Sequence, residues 1–147
     1  MAACSRCSVE RPMANLTRIG QDLVCPKDLA KQAAREAQVA EAWMVEDGFV
    51  TEGASSTAFI ITHDRRIVTR PLSSAVLPGI TRDAVLKLAE RHGLRLEQRP
   101  FTVAEARAAA EAYLTSASRL VMPVVANDGK PLGSGKPGPL APELRRL

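Results

Sequence analysis

Three stretches of this 147-residue chain carry residue types that could do chemistry. In the first, Glu52 ends an apolar run and is followed by Gly53, Ala54, Ser55 and Ser56. A carboxylate at a strand end, beside a glycine and two hydroxyls, is well placed to meet a ligand. In the second, Leu77, Pro78, Gly79, Ile80 and Thr81 read as a tight turn opening a helix. Such a turn aims backbone N–H groups outward with the positive end of the helix dipole behind them, which suits a phosphate. Thr81 would add a hydroxyl donor while capping the helix. Taken alone, a plain turn and a plain cap explain these residues more simply. In the third, Thr115, Ser116, Ala117 and Ser118 offer three hydroxyls to a phosphate or carboxylate, although such clusters are commonly loops.

Other reactive types are sparse. His63 and His92 stand alone in sequence and read as surface residues. Cys4 and Cys7 form a C-x-x-C pair which, with Cys25, would make three ligands of a small zinc module. A closed zinc site wants four ligands, usually as two pairs, so these three cysteines are not expected to hold a metal. An odd cysteine count argues against a disulfide framework and fits a cytoplasmic protein with reduced thiols. No apolar run reaches the roughly 18 residues a membrane span needs, and the first residues lack a signal peptide's apolar core. The net charge of +4 is spread over the chain, without the clustering and aromatics that a nucleic-acid surface would want. Mild solubilising surface charge is the better reading.

These groups need a scaffold, and the chain is long enough for one domain burying roughly 70% of its unfolded surface. With aromatics at 3%, the core should be aliphatic. Residues 1–27 show no sustained periodicity and read as irregular. Asp28 then looks like an N-cap for a helix over 29–40. A hairpin follows: strands over 41–45 and 49–52 around a turn at 46–48. Strands are expected over 57–63 and 67–69, a helix over 82–92 stopped by Gly93, and an exposed strand over 94–99. Thr102 and Glu105 fit a capping box for a helix reaching about residue 112. Strands over 113–116 and 119–126, a turn at 127–129, a Gly/Pro loop over 133–139 and a helix start over 141–147 complete the chain. The fold class is α+β, a mixed α/β domain with a mixed sheet.

Together the stretches are more specific than apart. The chain resembles the class IV aminotransferases, pyridoxal-phosphate enzymes of fold type IV. The resemblance rests on residues 29–36, on 50–59 around Glu52, on 77–82, and on 113–117 with Pro123 and Val124, in the family's order and spacing. It implies the larger, C-terminal, cofactor-binding domain of that architecture over 28–147, after a divergent segment over 1–27. The run from Glu52 to Ser56 looks more like the D-amino-acid group than the branched-chain group. The family transfers an amino group between an amino acid and a 2-oxo acid and is homodimeric. Within it Glu52 would face the cofactor's pyridine nitrogen and keep it protonated. Leu77 would pack on the ring, and Gly79, Ile80 and Thr81 would hold the 5′-phosphate. Ser116 and Ala117 would close the phosphate side, and Ser55 and Ser56 would lie near the ring.

Two departures from the family pattern bear on activity. The family's smaller N-terminal domain, which supplies an arginine to the phosphate, has no counterpart in these residues. The family's Schiff-base lysine, counted back from Glu52, falls on Gly20, after Ile19. Glycine has no amine, and transamination needs one. Lys27 and Lys31 are near in sequence, but Lys31 fills a helix position and no spacing brings Lys27 to the site. The sequence therefore predicts a truncated, inactive form of the enzyme. A truncated or frame-shifted reading of a longer gene would give this pattern. The alternative is divergence into a non-catalytic domain that binds pyridoxal phosphate or a partner subunit. A missing half-domain would also expose apolar surface and favour self-association.

Overall fold

A computed structural model describes residues 25–74 and 76–146 with their side chains, and the backbone of four short strands before them. Those strands form two antiparallel ribbons: β1 (Ala2–Ala3) with β2 (Glu10–Arg11), and β3 (Thr17–Ile19) with β4 (Asp22–Val24). The segment expected to be irregular thus contains paired strands. Gly20, Cys4 and Cys7 lie outside the described residues.

Helix α1 runs from Pro26 to Glu36, with Cys25 as its N-cap. This corrects the expected start at Asp28. Proline at the first helical position has a helix-ready φ and no N–H to satisfy, so it begins the helix three residues earlier. Asp28 is instead buried inside the first turn, where its charge suits the helix dipole. It accepts the Cys25 thiol at 3.2 Å, and the Lys31 ammonium lies 3.5 Å away. The helix stops short of residue 40 because Gln38 takes a left-handed φ of 55° and the Val39 N–H folds back to the Ala34 carbonyl.

Strands β5 (Trp43–Glu46) and β6 (Phe49–Gly53) follow as a hairpin. Asp47 and Gly48 both have positive φ, 53° and 83°, as a two-residue turn matched to strand twist requires. The main sheet is built from β7 (Thr57–Ile61), β8 (Arg66–Thr69), β9 (Arg95–Gln98), β10 (Glu111–Ser116) and β11 (Leu120–Val124). Its order is β11-β10-β7-β8-β9, antiparallel except for the β8–β9 pair. That parallel edge needs a crossover, and helix α2 (Ile80–Arg91) supplies it. Helix α3 (Val103–Ala108) leads into β10, the ribbon β12 (Ala126–Asn127) with β13 (Lys130–Pro131) follows β11, and helix α4 (Leu140–Arg146) ends the described chain.

The sheet separates two apolar layers. On one side Phe59, Ile61, Ile67, Tyr113 and Val121 pack with Val85, Leu86 and Ala89 of α2 and Leu140, Ala141 and Leu144 of α4. On the other, Ala58, Ile60, Val68, Ala112 and Leu114 pack with Val50, Phe101, Ala106 and Leu132. The core is less purely aliphatic than its composition suggested. Tyr113, Phe59 and Phe101 are its largest fully buried side chains, and the Phe59 and Tyr113 rings stack at 4.7 Å. A few rings concentrate much buried area, so a low aromatic percentage says little about where they sit.

Candidate cofactor site

Glu52 is set by β6, all of whose residues after Phe49 are buried. Its own exposure is only 3%, so both carboxylate oxygens must find partners. Oε2 accepts the Leu77 backbone N–H at 2.9 Å, which joins the first and second chemically interesting stretches across 25 residues of sequence. Oε1 lies 2.7 Å from the Lys27 ammonium. The sequence reading assigned Lys27 no place at the site. The early start of α1 puts Lys27 in its first turn, and from there the side chain reaches Glu52.

Beside Glu52, the chain from Leu77 turns tightly, with the Gly79 N–H donating to the Leu77 carbonyl at 2.9 Å, and enters α2. Gly79 is the N-cap, at φ −72° and ψ 134°, and its carbonyl accepts the Asp83 N–H. Thr81 sits inside the first turn rather than at the cap, a correction to the expected capping role. The N–H groups of Ile80, Thr81 and Arg82 have no carbonyl within the helix to reach, so they face outward from its positive end. Under this turn, a Cβ on Gly79 would lie 3.6 Å from the Thr57 hydroxyl, an ordinary contact, so the surrounding chain does not itself demand glycine there. Thr57 pairs in register with Thr115, whose Oγ1 is buried without a protein partner. Leu77 and Ile80 are 61% and 89% exposed, large apolar side chains left uncovered beside a buried carboxylate.

Arg82 anchors this turn and was not singled out in the sequence. It is buried, and its Nη2 donates to the Arg70 carbonyl and to Gln98 Oε1, tying α2 to the preceding loop and to β9. Burial pushes its guanidinium down from the ordinary value, and Asp83 pushes it up. No local pattern marks such a residue: only its charge on an apolar helix face hinted at a role.

The remaining predicted residues form a second cluster. The Gly53–Ser56 loop closes on itself through the Gly53 N–H and Ser56 carbonyl at 2.8 Å. Glu41, another residue not singled out, holds it. Its Oε2 accepts the Ser55 N–H, the Ser55 hydroxyl and the Ser56 hydroxyl at 3.2, 3.0 and 2.8 Å. These side chains, with Ser116, Ser118 and Arg119, line a cavity of about 70 Å³, room for water rather than for a cofactor. The Ser116 hydroxyl accepts the Arg119 N–H and shapes the turn between β10 and β11, where Ala117 is exposed. Thus Glu52 meets Leu77 at the turn that carries Gly79, Ile80 and Thr81, while Ser55 and Ser56 are held by Glu41 and Ser116 lines the same cavity. His63 and His92 are exposed. Of the zinc alternative, the described part is Cys25, buried with its thiol on Asp28. Among the described residues no group of three or more His, Cys, Asp or Glu could hold a metal ion, and no helix is long and apolar enough to cross a membrane.

A buried carboxylate can hold a cation or an N–H donor, and a helix start with outward N–H groups can hold an anion. The sequence profile of the family described as amino-transferase class IV matches residues 2–126. The chain belongs to the class IV aminotransferases. It is 41% identical over 117 residues to the D-alanine aminotransferase of Bacillus licheniformis, covering 80% of this chain and 41% of that protein. It is 35% identical to the branched-chain-amino-acid aminotransferase of Pseudomonas aeruginosa over 80% of this chain and 38% of the other. Among solved structures, the branched-chain amino acid aminotransferase from Escherichia coli superposes with a TM-score of 0.77 and 29% identity. That match covers 82% of this chain and 41% of that one. The chain spans about two fifths of the length of the curated relatives named here. Class IV aminotransferases depend on pyridoxal phosphate, and the mixed α/β fold matches part of theirs.

Proposed function

We propose that residues 28–147 form the pyridoxal-phosphate-binding domain of a class IV aminotransferase of the D-amino-acid type, and that this chain alone does not turn over. The observation that carries the reading is the buried Glu52 carboxylate, fixed by the Leu77 N–H next to the start of α2. Glu52 would hold the proton on the ring nitrogen. The Ile80 and Thr81 N–H groups, with the Thr81 hydroxyl, would take the phosphate at the positive end of α2. The exposed Leu77 side chain would cover a ring face, and Ser116 and Ala117 would border the phosphate side. Glu41 would keep Ser55 and Ser56 in place beside Glu52. Bound there, the cofactor supplies an electron sink for the carbanion at the α-carbon of an amino acid, with a 2-oxo acid as the second substrate.

That chemistry also needs an amine that attaches the cofactor and moves the α-proton. Gly20 would stand at its position by sequence spacing from Glu52, within the stretch that the family profile matches. The test is direct. Purified chain titrated with pyridoxal phosphate should develop a visible absorbance band that weakens in Glu52→Gln and Thr81→Ala. Borohydride reduction followed by peptide mass spectrometry should find no stoichiometric adduct at one lysine. Turnover of a D-amino acid together with such an adduct would overturn the claim of inactivity.

The exposure of Leu77 and Ile80 favours a second reading, a non-catalytic domain that binds the cofactor or a partner subunit through this face. Concentration-dependent self-association in size-exclusion chromatography, reduced by Ile80→Ser, would support it. A monomer at every concentration would count against a surface of this kind for a second copy.

A further inference from the structure

We propose that Lys27 is a built-in counter-cation that occupies the ring-nitrogen position of Glu52 and must leave before a pyridine ring can take that carboxylate. The inference rests on the cofactor reading above and goes beyond it by assigning a gate. Glu52 has two oxygens and each is already engaged: Oε2 by the Leu77 N–H at 2.9 Å, Oε1 by the Lys27 ammonium at 2.7 Å. The Leu77 contact is backbone to side chain and belongs to the turn that leads into α2. It stays when a ligand binds. The oxygen that can change partner is Oε1, and a protonated ring nitrogen would need the same place.

Burial makes the competition matter. A carboxylate that is 3% exposed carries a high cost if left without a cation, so either Lys27 or a ring N–H must be present. Lys27 differs from Glu52 in having an exit. Its side chain is 25% exposed at the first turn of α1, and a flexible four-carbon stem lets the ammonium swing to water without moving the helix. The pair is therefore asymmetric, with a fixed buried acid and a removable base. Lys27 is also no substitute for the missing lysine. An amine at the ring-nitrogen end sits across the ring from the aldehyde carbon it would have to attack.

A protein whose binding-competent state is only partly populated shows weaker apparent affinity by that fraction. Removing Lys27 should tighten pyridoxal phosphate binding, followed by absorbance and by quenching of the single tryptophan, Trp43. Lys27→Met should bind at least about tenfold more tightly than the parent chain, and Lys27→Arg no more tightly than the parent. Lys27→Gln, which keeps a neutral donor for Oε1, serves as a second variant should the methionine chain not fold. Melting temperature is the second readout: without ligand Lys27→Met should melt lower than the parent, and pyridoxal phosphate should raise it by a larger margin. In Lys27→Met/Glu52→Gln the gain in affinity should vanish. Equal affinity in parent and Lys27 variants would overturn the gate while leaving the cofactor site standing. Weaker binding in the variants would overturn it too, by making Lys27 part of the site. Binding by none of the proteins would reject both the gate and the cofactor reading.

Discussion

Two glutamates show how differently one residue type can be used within one fold. Glu52 is buried with one oxygen on a backbone N–H and one on an ammonium, the arrangement on which the proposed cofactor contact rests. Glu41 is spent inside the protein, with Oε2 accepting three donors from Ser55 and Ser56. The hydroxyls that looked free in sequence are therefore the donors that brace the loop after Glu52. Glu41→Ala should cost about 1–2 kcal/mol in urea unfolding, the net worth of bonds to a partly exposed charge. It should also speed amide exchange at Ser55 while leaving exchange at Ile60 slow. Gly53 belongs to the same brace: a Cβ there would overlap the Ser56 hydroxyl and press on Glu41. Gly53→Ala should loosen the same loop, and unchanged exchange at Ser55 in both variants would remove Glu41 from its supporting role.

The helices differ in what starts them. α3 has the N-cap visible in sequence, with the Thr102 hydroxyl accepting the Glu105 N–H at 3.0 Å, while the Glu105 carboxylate turns to Arg99 rather than closing the expected box. Thr102→Ala should destabilise the chain by about 1 kcal/mol in denaturant unfolding. α4 has no such local signal. Its first N–H groups, from Leu140 and Ala141, are accepted by Glu111 at the start of β10, some thirty residues earlier in the chain. Because Leu140, Ala141 and Leu144 complete the core over β10 and β11, fraying α4 uncovers Tyr113 and Val121. Glu111→Ala should therefore cost about 1–2 kcal/mol, by loss of both a cap and a favourable charge at the helix start. Gly138→Ala should mimic it, since a Cβ at residue 138 would collide with the Glu111 carboxyl. The failed expectation for α3 has an equally plain cause. Alanines at 108–110 and 112 favour a helix locally, but Ala112 is needed on the central strand, paired with Ile60 and Val124. Sheet pairing on both sides outweighs a few tenths of a kcal/mol of propensity per residue.

At the scale of the whole molecule, the single tyrosine reports on the core. Tyr113 is fully buried, its hydroxyl has no protein partner, and burial, with the Glu111 charge adding to it, holds the phenol well above its ordinary value. The folded-state value is raised, so this contribution to stability is complete below the unfolded phenol's value of about 10 and is lost as pH rises beyond it. Alkaline unfolding should thus begin above about pH 10, with tyrosinate absorbance appearing together with loss of helical circular dichroism. Tyr113→Phe should flatten that alkaline limb. At neutral pH it should be neutral or stabilising by about 1 kcal/mol, because it removes a buried polar atom that has no bond to lose. Ionisation of Tyr113 while the helices remain intact would refute the burial argument.

Local chemistry determined much of this protein. The Asp47-Gly48 turn, the Thr102 cap, the apolar β7 and the amphipathic α2 follow from a residue and its near neighbours, and short-range sterics and hydrogen bonds were enough to read them. The resemblance to class IV aminotransferases was likewise legible, because the family's order of motifs survives in one dimension, and the family profile extends it back to residue 2. What only the tertiary structure decided is who meets whom. Leu77 reaches Glu52, Glu111 caps α4, Arg82 pins α2 to β9, and Glu41 claims Ser55 and Ser56, each through a contact across the sheet or a loop that no periodicity encodes. Glu52, the residue with the clearest role in sequence, gained a competitor this way. The proline at the start of α1 shifts that helix by three residues, and the shift carries Lys27 to a carboxylate that burial obliges to hold a cation.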